Sequence, residues 1–200
     1  TCALPILAPL GGDHVPIQQG SPPSRPRFVR LGTLEGRKMP LEIVSGYRRA
    51  VDQGLDAELV FIGNASASSA ANNRAVQAAI DDGLPVTWIR KASDDQVQEQ
   101  VTNASALLSL GVEGYGITVV EAIRLGCPVL YWGVQPTGAI MDGKGAQLID
   151  GSSTEGIARM FLEYARPDVL ARLRDQIDVS AVPRWRDFAD TVAHACANGA

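Results

Sequence analysis

The chain has 200 residues, 46% of them hydrophobic, enough to bury a sizeable core as one domain. Its formal net charge of −4 argues against general nucleic-acid binding, and no apolar run is long enough for a membrane-spanning helix. Cys2, Cys127 and Cys196 are scattered and odd in number, which suits a reducing, cytoplasmic setting without a disulfide framework. The chain opens at Thr1 with no basic start followed by an apolar stretch, so no signal peptide is visible, and it reads as a piece of a longer protein.

Residues 1–26 are rich in Gly, Pro, Ser and Gln and read as a linker or N-terminal extension; residues 27–200 read as the folded domain. There the pattern predicts a strand at Phe28–Leu31, a helix at Pro40–Gln53, a strand at Glu58–Ile62 and a helix at Ser68–Asp82. A strand at Val86–Ile89 is followed by a helix at Asp94–Ala104 with Ser93 as its cap. Next come a strand at Ala106–Leu110, a helix at Ile117–Leu125 closed by Gly126, and strands at Val129–Tyr131 and Ala146–Ile149. Three helices close the chain, at Thr154–Tyr164, Pro167–Val179 and Trp185–Ala197. Such alternation implies an α/β fold: a Rossmann-like, doubly wound parallel sheet of about six strands with helices on both faces.

Ligands of such sheets bind at the carboxyl ends of the strands. The loops there run Gly32–Lys38, Gly63–Ser66, Arg90–Ser93, Gly111–Gly116 and Gly133–Lys144, and they hold every lysine of the chain: Lys38, Lys91 and Lys144. That predicts a positive rim on an acidic protein, suited to a phosphorylated ligand.

The segment Glu113-Gly114-Tyr115-Gly116-Ile117-Thr118-Val119-Val120-Glu121 sits at a strand-to-helix turn. Free N–H groups at the helix start, reached closely over glycine, make an anion site. Glu121, about one turn into the helix, is placed to meet a ribose hydroxyl, and Glu113 to face the other side of the phosphate. Bland alternatives stand beside these. Glu121 could complement the helix dipole, Arg37 and Lys38 could be a solvated pair, and Asp94 could be a helix-start acid. Tyr115 could pack at the rim rather than stack on a sugar. His14 and His194 lack neighbouring ligand patterns, so no metal site is expected.

Glu113-Gly-Tyr-Gly-Ile-Thr-Val-Val-Glu121-Ala with Gly126-Cys-Pro-Val resembles the Glu-x7-Glu signature of retaining glycosyltransferases of family 4, the group 1 glycosyltransferases of GT-B architecture. Leu31 to Lys38 resembles that family's first-strand loop, Leu59 to Gly63 its second strand, Ser93-Asp94-Asp95 its polar turn and Trp185 its late tryptophan. Pro9 to Asp13 resembles the linker between its two domains. The resemblance covers nearly the whole chain, but only the C-terminal half of such an enzyme.

It implies that this half binds a UDP- or GDP-linked sugar without a metal or other cofactor. Arg37 and Lys38 would neutralise the diphosphate, Glu121 would hold the ribose, and Glu113 would act as the catalytic carboxylate beside the donor sugar. The backbone of Gly114, Gly116, Ile117 and Thr118 would face phosphate and sugar, with Gly32 and Thr33 on the first loop and the base near Lys91 and Asp94. It also implies an N-terminal acceptor-binding domain in the same polypeptide, carrying a catalytic histidine, through which alone the inner membrane face would be touched. The isolated chain would be inactive. One departure is Thr33, where the family commonly carries arginine, which leaves a non-catalytic or degenerate nucleotide-binding domain open. A GT-B-like epimerase would need further acids and bases, and a phosphorylase a pyridoxal-phosphate lysine in a matching segment. Gly32-Thr-Leu-Glu-Gly36 lacks the dinucleotide glycine pattern of a dehydrogenase.

Overall fold

Strands as short and apolar as these are stable only when both faces are covered, and the chain's helices supply that cover. The computed structural model describes residues 9–21, 23–65 and 67–198. Cys2, Pro22, Ser66 and the first eight residues of the expected linker lie outside the described residues.

The strands are β1 Arg27–Leu31, β2 Glu58–Ile62, β3 Val86–Ile89, β4 Ala106–Val112, β5 Val129–Val134 and β6 Ala146–Leu148. They form one parallel sheet of six strands in the order β3-β2-β1-β4-β5-β6. The α/β expectation therefore holds. The helices are α1 Pro40–Asp52, α2 Ala70–Asp81, α3 Asp94–Thr102, α4 Ile117–Arg124, α5 Pro136–Ile140, α6 Thr154–Tyr164, α7 Pro167–Asp175 and α8 Trp185–Asn198. Among the described residues, no helix is long and apolar enough to cross a membrane.

Alternation along β1 splits the core in two. Phe28 joins Tyr47, Phe61 and Phe161 on one face, beneath α1, α2 and α6. Val29 joins Ile62, Leu107, Ile123 and Val129 on the other, against α3 and α4. Tyr47 is fully buried, and its hydroxyl donates to the Ala57 carbonyl at 2.7 Å, which satisfies the one polar atom the ring brings inside. Cys127 is a core residue as expected, and burial pushes its thiol up to about 12.

Element boundaries follow local chemistry. Ser93 opens α3 with a reciprocal capping box through Gln96, as its sequence suggests. Helix α7 stops at Asp175 rather than running to Val179, because the Asp178 carboxylate captures the Ser180 N–H at 2.9 Å and sets a separate 3-10 turn at Val179–Ala181. Strands β4 and β5 run further than expected, to Val112 and Val134.

One correction bears on charge. After β5 the chain forms α5, then crosses the sheet, so Lys144 lies at its amino end. There the N–H of Val129, the first residue of β5, donates to the Gly145 carbonyl at 2.8 Å. Lys144 therefore does not join the carboxyl rim, which keeps only Lys38 and Lys91.

Residues 9–21 lie along the domain. Val15 is buried, Arg124 Nε donates to its carbonyl at 2.6 Å, and the Gln18 N–H donates to the Arg124 carbonyl at 2.9 Å. Asp13 accepts the Trp185 N–H at 2.8 Å at the start of α8.

Candidate functional site

The strand order reverses direction between β1 and β4, which opens a crevice where the loops after those two strands meet. The β1 loop is anchored by Leu34, wholly buried, whose carbonyl accepts from Asn72 Nδ2 at 3.0 Å. It then forms a 3-10 turn at Gly36–Lys38 and swings into α1 through Met39, a non-glycine residue at positive φ (55°). A left-handed conformation at such a residue is strained and is tolerated where the surroundings enforce it.

That turn delivers Arg37 and Lys38 to the end of β4. Arg37 NH1 donates to the Val112 carbonyl at 2.7 Å and to Glu113 Oε2 at 3.0 Å. Lys38 Nζ lies 2.7 Å from Glu113 Oε1, and Arg37 Nε donates to Glu35 Oε2 at 2.6 Å. The close fit depends on Gly111, at φ +98°, where a Cβ would fall 2.0 Å from the Arg37 carbonyl oxygen. Gly32, Gly63 and Gly133 also take positive φ at the carboxyl ends of β1, β2 and β5. Thr33 turns to Glu35, with its hydroxyl 3.3 Å from that carboxylate.

Burial pushes the Glu113 carboxyl up, but the hydrogen bonds from Lys38 and Arg37 together outweigh it and hold the pKa below the ordinary 4.5. The bond to Glu113 is also the main cause that raises Arg37. A depressed carboxyl contributes stability fully above its unfolded pKa and loses it as pH falls through the folded one. Thermal melts from pH 5 down to pH 3 are therefore expected to decline less steeply for Glu113→Gln than for the parent, and parallel declines would contradict the pairing.

The glycine turn leads from β4 into α4. Gly116 caps α4 in the left-handed region (φ 87°), without a side-chain cap, so the first-turn N–H groups of Ile117 and Thr118 lack intrahelical acceptors. Gly114 is exposed and borders open space. Tyr115 packs at the rim, with its hydroxyl donating to the Leu10 carbonyl at 2.9 Å. Beneath the turn lies buried Gln135, whose Oε1 accepts from Ser109 at 2.8 Å.

Glu121 faces a different partner. Its Oε1 lies 2.8 Å from His14 Nε2, while Trp185 Nε1 donates to His14 Nδ1 at 3.2 Å. With Nδ1 accepting, Nε2 carries the proton and donates to Glu121, which leaves the second carboxylate oxygen available. The pair lines a cavity of about 500 Å³ together with Leu31, Asp94, Val97 and Thr118. Gly32 and Lys91 line a shallower depression of about 440 Å³ next to it. Arg90 is drawn aside, its guanidinium 4.1 Å from the Trp88 ring centroid.

The structure thus gathers Arg37, Lys38 and Glu113 in one cluster, and sets Glu121, Thr118 and Asp94 around the adjoining cavity. Sequence reasoning gave His14 no role. Its contact with Glu121 spans 107 residues, and no local pattern announces it.

A six-stranded, doubly wound parallel sheet with helices on both faces is of the Rossmann-like α/β class. Residues 14–163 match the family described as glycosyl transferases group 1, and the chain belongs to that family. No curated protein matches it in sequence. Among solved structures, TarM is similar with a TM-score of 0.70 at 15% identity, over 90% of this chain and 37% of that one. Sucrose-phosphate synthase from Thermosynechococcus elongatus gives 0.67 at 17%, over 96% of this chain and 51% of that one. The UDP-forming alpha,alpha-trehalose-phosphate synthase from Burkholderia vietnamiensis gives 0.62 at 14%, over 88% and 45%. At such identities the likeness is one of fold, and the chain spans about half or less of those structures' length.

Proposed function

We propose that this chain is the C-terminal, donor-binding domain of a retaining, metal-independent glycosyltransferase of family 4, which transfers a hexose from a UDP- or GDP-sugar to an acceptor held by an N-terminal domain. The observation that carries the reading is the meeting of Arg37, Lys38 and Glu113 at the switch point, in a chain of this family. A departing nucleoside diphosphate gains negative charge as the sugar bond breaks, and two fixed cations with the Ile117 and Thr118 N–H groups are arranged to stabilise it. Glu113, held ionised, favours positive charge at the anomeric carbon. Glu121, steadied by His14, offers its free oxygen to the ribose, and the cavity beside Asp94 has room for the base. Countercharge in this scheme comes from the Arg37 and Lys38 side chains. The name of the Burkholderia neighbour makes UDP-sugars the first donors to test.

Calorimetric titration of the chain with UDP, GDP and their sugar conjugates tests this. Millimolar or tighter binding is expected, weakened about tenfold by Glu121→Gln through loss of a charged hydrogen bond to the ribose. A folded chain that binds none of them refutes the proposal. A second reading, a non-catalytic nucleotide-binding domain, draws on the engagement of Glu113 by the very cations that should meet phosphate. It predicts that transfer by the longer polypeptide survives both Glu113→Gln and Glu121→Gln.

A further inference from the structure

Arg30 is the penultimate residue of β1, on the same face as Phe28, at a position where the sheet otherwise buries apolar side chains. It is 3% exposed. A charge so placed is ordinarily paired with a carboxylate, since burying it alone is costly. Among the described residues Arg30 has no such pair: the nearby Glu35 and Glu113 are taken by Arg37 and Lys38. NH1 donates to the Leu31 carbonyl at 2.5 Å and the Gly32 carbonyl at 3.0 Å, and the buried Nε has no partner at all.

Those bonds aim the guanidinium at the carboxyl end of the strand. A Cβ on Gly32 would lie 2.9 Å from Lys38 Nζ and 3.1 Å from Arg30 NH1, so two cations flank the open side of one glycine. Burial lowers the Arg30 pKa to about 10, which leaves it protonated at neutral pH. Arg37 and Lys38 are balanced by Glu35 and Glu113, so the cluster's surplus positive charge comes from Arg30.

We propose that Arg30 is a donor-binding residue, a third cation that takes the diphosphate over Gly32 from inside the sheet rather than from the loop. The proposal rests on the donor-binding reading above. A residue serving only to tie the β1 turn would account for the two NH1 bonds, but not for an unmatched charge or an idle Nε.

The test titrates inorganic pyrophosphate, UDP, GDP and uridine into the folded chain and into Arg30→Met and Arg30→Lys, with melting curves recorded for each. Arg30→Met is expected to weaken pyrophosphate and UDP about tenfold or more while leaving uridine unaffected, and Arg30→Lys to recover part of the loss. Should Arg30→Met not fold, the parent decides: by nitrogen-15 NMR the Arg30 Nε–H signal is expected to move with pyrophosphate and saturate with the Ile117 amide. A folded Arg30→Met that binds pyrophosphate like the parent, or an Nε–H that stays put at saturation, overturns the role of Arg30 and leaves the donor site standing. A parent that binds neither pyrophosphate, UDP nor GDP overturns the donor reading along with it.

Discussion

Glu113→Gln is expected to part binding from turnover. The Glu113 carboxylate lies on Arg37 and Lys38, where, on the proposed donor-binding reading, it would compete with an incoming phosphate for the same donors. Neutralising it frees both cations, so pyrophosphate affinity should rise several-fold, about 1 kcal/mol, the scale of a partly solvent-exposed ion pair. If the chain is the donor half of a retaining transferase as proposed, transfer by the longer polypeptide should instead fall about a hundredfold, because the charge that favours a cationic sugar is gone. Pyrophosphate calorimetry on the chain and steady-state rates on the longer polypeptide measure the two effects. Affinity and rate falling together would mean that Glu113 merely positions the cations; an unchanged rate would remove it from the chemistry.

Gly111→Ala should be the most damaging small substitution near the site. It places a Cβ 2.0 Å from the Arg37 carbonyl oxygen, against backbone that cannot rotate away, and does so at a φ of +98°. Strain and displacement together are expected to cost roughly 3 kcal/mol in urea unfolding. Because the displaced turn carries Arg37 and Lys38, pyrophosphate binding should weaken as well. Gly54→Ala is the control: its φ of +94° is similar, but nothing lies within 4 Å of the added carbon. It should cost about 1 kcal/mol through the left-handed backbone alone and leave binding intact. Equal costs for the two variants would show that the approach of the β1 turn to β4 contributes nothing.

The elements that could be read from the sequence were those whose pattern is local. Glu58–Ile62 and Val86–Ile89 are short apolar runs between turn residues, and Ser93 with Gln96 is a cap written in four positions. Helix α5 has five residues, too few to show a helical period, and without it the pattern places Lys144 on the carboxyl rim. The Glu113–Gly116 turn, Arg37 and Lys38 stood out because glycines and charges sit oddly between a strand and a helix. Their pairing, 76 residues apart, could be expected only through the order of strands. In the sequence Arg30 is one polar residue in a strand and His14 one histidine in a loop, since burial and distant partners leave no local mark.

The left-handed glycines Gly32, Gly63, Gly111 and Gly133 end or interrupt four neighbouring strands, β1, β2, β4 and β5. Along this edge the sheet presents peptide groups bare of side chains. Two of these glycines touch a neighbour's backbone: a Cβ on Gly63 would fall 2.5 Å from the Gly32 carbonyl, and one on Gly133 2.3 Å from that of Gly111. The floor of the crevice therefore has almost no freedom to vary. On the proposed donor-binding reading, a new ligand preference would have to arise from the walls, at positions such as Lys91, Asp94 and His14, while the floor would keep the phosphates' place.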